Sequence, residues 1–134
     1  MKQIFLILFV SIIASSSIFA QKSKKTVEVL YFKANLTCCQ AKACNTIEAD
    51  IKKIIEDNYD ENVTFKQVKL DDEANKPLIE RFNAKSQTVV LVKYFRTKEK
   101  ATVDVSEIVK QYAYDKKVED FSKKFTEQIN ILLN

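Results

Sequence analysis

The chain contains no histidine and no glycine, a single proline and only three cysteines. Without histidine it cannot assemble a Ser-His-Asp triad, a Cys-His dyad or an imidazole metal site, which removes most hydrolase chemistry. Without glycine there is no phosphate-cradling P-loop and no Gly-rich dinucleotide turn. Turns that need a positive φ must use the next most tolerant residue, and Asn35, Asn58, Asn62 and Asn83 are expected in that role. An excess of one charge is also missing: 22 Lys and Arg face 18 Asp and Glu, with both signs interspersed. No nucleic-acid partner is expected from that pattern.

Long apolar runs are scarce, and the one present lies at the N-terminus. Lys2 precedes an apolar stretch from Ile4 to Ile13, which relaxes into Ala14, three serines and Ala20. This is the anatomy of a secretory signal peptide, read as residues 1–20, with one domain over residues 21–134. The run is shorter than the roughly 20 residues of a membrane-spanning helix, so no membrane span is expected after signal removal. The expected destination is outside the cytoplasm, in the periplasm or the medium.

The mature segment alternates strand and helix signals. TVEVLYF, from Thr26 to Phe32, has the apolar, β-branched and aromatic content of a strand buried on both faces. A polar loop holding the cysteines is expected next. Then Cys44, Ile47, Ile51, Ile54 and Ile55 recur at helical spacing, with Glu48 and its polar neighbours read as a solvated face. A second strand is expected from Val63 to Leu70, followed by a short helix ending near Phe82. Asp71 and Asp72 offer its cap, and Pro77 fits only in its first turn. TVVLVKYF, from Thr88 to Phe95, reads as a third strand; the charged segment RTKEK leads to a fourth, ATVDV, as a hairpin. A short helix from Ser106 to Tyr112 and a long helix capped by Asp115 close the chain. Strand, helix, strand, helix, hairpin and helix make an α/β thioredoxin-like layout: a four-stranded mixed sheet flanked by helices.

The cysteines fall at the junction between the first strand and the first helix. There the positive end of the helix dipole stabilises a thiolate, and free backbone amides donate to sulfur. Lys33 and Lys42 would favour the thiolate further if they pointed inward. Cys44 shares the apolar helix face with Ile47 and Ile51, so it is expected to be the buried thiol, with Cys38 or Cys39 nearer solvent. Four residues separate Cys39 from Cys44, and five separate Cys38 from Cys44. In one continuous helix such pairs exceed or misdirect the Cα separation of about 7 Å that a disulfide tolerates, whereas a loop around Gln40 would bring them together.

Cys38, Cys39 and Cys44 are thus the candidate catalytic residues, with protein thiols or disulfides as partners and no cofactor. The competing reading is a binding module with one structural disulfide, docking a protein or a soft ion such as Cu(I) or Zn(II) on its thiolates. No histidine or fourth cysteine is present to close a tetrahedral metal site. The residues point to no particular oligomeric state.

The segments VLYFK, CNTIEADIK, NVTFKQVKLDDE and SQTVVLVK resemble a bacterial thioredoxin-like family of nitrophenyl compound nitroreductase subunits, of ArsF type. The resemblance spans most of residues 21–134. It implies a CxxC in which Cys44 is the second cysteine. Counted from Phe32, Cys38 takes the first position; counted back from Cys44, that position is Ala41. The thioredoxin pattern also implies a cis proline before the third strand, where this chain has Thr88 after Ser86 and Gln87. Pro77 lies too early to serve.

Overall fold

The computed structural model describes residues 24–36 and 39–134, with the side chains of residues 39 and 40 left aside. The expected signal segment and Cys38 lie outside the described residues. Four strands form one sheet in the order β2-β1-β3-β4: β1 (Lys25–Lys33), β2 (Val63–Lys69), β3 (Val89–Phe95) and β4 (Lys98–Asp104). β1 runs parallel to β2, with Tyr31 opposite Gln67, and antiparallel to β3, with Tyr31 opposite Val89. β3 and β4 form the expected hairpin.

Because β1 is paired on both edges, its alternating side chains feed two separate cores. Val27, Val29 and Tyr31 face one side with Ile47, Ile51, Phe125 and Ile129. Leu30 and Phe32 face the other with Val68, Val90 and Val92, beneath Leu78, Ile79 and Phe82. The first core is covered by α1 (Cys39–Asn58), α3 (Ser106–Asp115) and α4 (Val118–Leu133), and the second by α2 (Lys76–Phe82). Burying each Phe, Leu or Ile of this kind contributes about 1.5–3 kcal/mol. This is the thioredoxin-like mixed sheet with helices on both faces that the sequence pattern predicts.

Several local expectations hold for the stated reasons. Asp72 accepts from the Ala74 amide at 3.0 Å and caps a short 3-10 turn, Glu73–Asn75, that runs into α2 with Pro77 in its first turn. Pro77 costs nothing there, since its missing N–H has no partner in a first turn.

Others are corrected. The cysteine-bearing loop is shorter than expected, because α1 already begins at Cys39 and runs unbroken through Gln40 and Cys44. The charged segment after β3 is not a connector: Phe95 pairs with Lys98, so the loop is only Arg96 and Thr97 and the lysines belong to β4. An edge strand tolerates lysine well, since its free edge faces water. Asp115 ends α3 instead of capping α4, and its carboxylate accepts the Lys117 amide at 2.9 Å in the link between them. Of the four asparagines expected at positive φ only Asn83 is there (φ 44); Gln87 (φ 67), Arg96 (φ 60) and Lys116 (φ 58) take the other such positions among the described residues. Asn58 instead donates its side-chain amide to the Ile54 carbonyl at 2.8 Å, securing the end of α1.

Candidate functional site

Cys44 sits in the second turn of α1, with a free thiol and 1% exposure. Its place on the helix stripe with Ile47 and Ile51 buries it, as the spacing predicts. Beneath it, the Tyr31 hydroxyl donates to the Cys44 carbonyl at 3.1 Å. Burial, then the nearby Cys44 and Glu48, raise the Tyr31 pKa well above the ordinary tyrosine value, so this hydroxyl stays protonated as a donor.

The sulfur faces the loop that leads into β3. Gln87 donates its side-chain amide to Cys44 Sγ at 3.3 Å, and the Ser86 hydroxyl lies 3.9 Å from the same atom. This loop stands where the thioredoxin pattern implies a cis proline; here the described peptide bonds are all trans and Gln87 holds the left-handed conformation. The loop is clamped to β1, with the Gln87 amide donating to the Phe32 carbonyl at 2.9 Å and the Phe32 amide to the Thr88 carbonyl at 2.9 Å. Leu36, Ala43, Cys44, Ser86 and Gln87 line an open groove of about 350 Å³.

On the other flank of α1 lies a charged cluster. Glu48, one turn beyond Cys44, accepts from Lys33 at 2.7 Å, from Lys52 at 2.7 Å and from the Gln67 amide at 3.1 Å. Burial pushes the Glu48 carboxyl up, yet the two ammonium groups outweigh it and hold the pKa below the ordinary carboxylate value. Glu48 is only 8% exposed, so its expected place on a solvated face is corrected. The same cluster corrects the roles of the lysines: Lys33 is committed to Glu48, and Lys42 is exposed, so neither turns inward to the thiol. Beside the cluster, a cleft of about 440 Å³ opens between the ends of β1 and β2, lined by Asn35, Asn45, Gln67 and Lys69 among others.

Of the three cysteines singled out from the sequence, the structure therefore describes the surroundings of Cys44, the backbone position of Cys39 at the start of α1, and nothing of Cys38. In a continuous helix Cys39 and Cys44 are offset by about 7.5 Å along the axis and by about 140° around it. Sequence reasoning missed Gln87, Tyr31 and Glu48 as neighbours of the site. For Tyr31 a signal was present, since alternation along β1 places it on the same face as Val29, the face that α1 covers.

The fold and site define a thioredoxin-like domain with a buried cysteine in the second turn of the helix that follows its central strand. No protein-family model and no curated protein matches the chain. Among solved structures it is similar to a malarial protein, with 26% identity, 68% of this chain and 96% of that one covered, and a TM-score of 0.40. It is also similar to thioredoxin-2 of the malaria parasite, a component of that organism's protein secretion machinery (24% identity, 66% and 82% covered, TM-score 0.40). A third is thioredoxin O2 from Arabidopsis thaliana in its oxidised state (22% identity, 64% and 70% covered, TM-score 0.41). Among the described residues no helix is long and apolar enough to cross a membrane.

Proposed function

We propose that this is an exported thioredoxin-like thiol-disulfide protein in which Cys38 is the attacking thiol and Cys44 the resolving one. The observation that carries the reading is the contact of the Gln87 amide with Cys44 Sγ at 3.3 Å, which places a thiol beside a groove, near the start of the helix that follows the central strand. The N-terminal run from Lys2 to Ala20 supports export. Cys39 is the weaker candidate for attack, because it already belongs to the same unbroken helix as Cys44. That leaves Cys38, which lies outside the described residues, as the candidate for attack.

The chemistry runs in two exchanges. The Cys38 thiolate attacks one sulfur of a partner disulfide, that S–S bond breaks, and the departing sulfur leaves as a thiolate that takes up a proton. Cys44, losing its proton, then attacks Cys38 in the mixed disulfide. The partner's second thiol is released, and a Cys38–Cys44 disulfide remains. The partner disulfide is reduced by two electrons and the cysteine pair is oxidised by two. The resemblance to ArsF-type nitroreductase subunits adds no nitro substrate to this proposal, which rests on sulfur alone.

Intact mass before and after alkylation, together with insulin reduction by single serine variants, tests it. Cys38→Ser and Cys44→Ser should lose turnover while Cys39→Ser keeps it. Three unreactive native thiols with no reducible bond among them would overturn the mechanism. A second reading is favoured by the near-complete burial of Cys44: a non-catalytic module that uses the fold to dock a protein. It predicts equally negligible insulin reduction by the parent protein and all three variants. Its soft-ion form needs all three thiols and so reaches outside the described residues.

A further inference from the structure

We infer that Gln87 is the positioning residue of this site: its side-chain amide holds the Cys44 sulfur in the reduced state from a backbone conformation that the loop before β3 enforces. This rests on the thiol-disulfide reading for its redox consequence, but the contact itself concerns Cys44 alone.

Gln87 has φ 67, a left-handed conformation that is unfavourable for a residue with a Cβ. Such conformations persist only where the surroundings over-determine them, and they cluster at functional sites. Four hydrogen bonds do so here. Two bind the loop to Phe32 from either side of the Gln87–Thr88 peptide, at 2.9 Å each. The other two close the turn on itself, from the Thr88 amide to the Lys85 carbonyl and from the Lys85 amide to Thr88 Oγ1, at 3.0 Å each. None of these bonds uses the Gln87 side chain, which is left to reach Cys44 Sγ.

The other polar groups around Cys44 are committed elsewhere. The Tyr31 hydroxyl lies beside the thiol but donates to the Cys44 carbonyl at 3.1 Å. Lys33 and Lys52 are paired with Glu48. Gln87 donates to Sγ at 3.3 Å and the Ser86 hydroxyl lies 3.9 Å away, so of these two side chains Gln87 is the closer. An amide N–H bonds far better to a thiolate than to a disulfide sulfur, because charge on the acceptor strengthens the bond. The contact therefore favours the reduced form over the disulfide, and favouring the reduced form makes a disulfide more oxidising.

The experiment uses the full chain and two replacements of similar length, Gln87→Met, which removes the donor, and Gln87→Glu, which puts a carboxylate against the sulfur. With Cys38 and Cys39 changed to serine, the ultraviolet thiolate absorbance of Cys44 is followed at a fixed alkaline pH. Both replacements should lower the thiolate-to-thiol ratio, Gln87→Met by about 2–10-fold, the span of one net hydrogen bond. Gln87→Glu should lower it at least as far, and it serves alone if Gln87→Met does not fold. An unchanged or raised ratio in a folded variant overturns the inference. In the three-cysteine chain, equilibration with glutathione should show the disulfide favoured by a similar factor in Gln87→Met. If the parent chain forms no disulfide at all, the thiol-disulfide reading falls while the absorbance measurement still judges Gln87.

Discussion

Tyr31 and Cys44, on adjacent elements and 13 residues apart, are joined by a buried hydrogen bond of 3.1 Å from the tyrosine hydroxyl to the cysteine carbonyl. It ties the second turn of α1 to the central strand at the level of the thiol. Tyr31→Phe keeps the ring in the core and removes only the donor. A loss of about 0.5–1.5 kcal/mol is expected from chemical denaturation, the worth of one net hydrogen bond. No loss would mean that the helical acceptor is satisfied without Tyr31.

Glu48 gathers two ammonium groups and an amide in a half-buried cluster, and its carboxyl titrates below the ordinary value. A carboxyl with a lowered folded pKa contributes stability that is present above its unfolded pKa and lost as pH falls through the folded one. Melting temperature should therefore drop as pH is lowered through and below the usual carboxylate range. Glu48→Gln should remove that part of the acid dependence. At neutral pH it should cost about 1–3 kcal/mol, since Lys33 keeps its charge without its partner.

At alkaline pH the relevant pair is Tyr112 and Asp50, whose hydroxyl and carboxylate lie 2.5 Å apart. Burial first, and then this bond, push the Tyr112 pKa up to about 12. A raised pKa on an acid means that the neutral form is favoured by folding. The stabilisation is complete below the unfolded tyrosine value and is lost as pH rises through the folded one. Stability should decline between roughly pH 10 and pH 12, and Asp50→Asn should shift the tyrosinate absorbance transition downward by removing the like charge.

Arg96 occupies the first central position of a two-residue hairpin loop at φ 60, a place where glycine is preferred. Arg96→Gly relieves strain of about 1–3 kcal/mol against an added entropy cost of about 0.5–1 kcal/mol. The variant should be more stable by about 1 kcal/mol in thermal or urea unfolding. A melting temperature at or below that of the parent would show that the guanidinium over the Phe95 ring, 5.6 Å from its centroid, contributes more than the strain costs.

Much of the fold could be read directly because its signals are local. The run from Thr26 to Phe32 announces a doubly covered strand, and the isoleucine spacing after Cys44 announces both the helix and the face on which that cysteine is buried. Asp72 and Pro77 mark the start of the short helix by capping chemistry that needs no distant partner. The start of α1 at Cys39 was less legible. Residues 39–43 carry little apolar periodicity of their own, and the extension adds turns to a helix already anchored by its isoleucines.

The chain by itself determined the element order, the exclusion of histidine-based and glycine-loop chemistry, and the burial of Cys44, since periodicity and composition act through neighbours in sequence. Tertiary structure alone decided that Gln87 meets that sulfur from 43 residues away and that Glu48 turns from a surface position into the centre of a cluster with Lys33, Lys52 and Gln67. Pairing β1 with β2 and β3 brings those side chains together, and sequence spacing carries no trace of a contact made only when separate strands share a sheet.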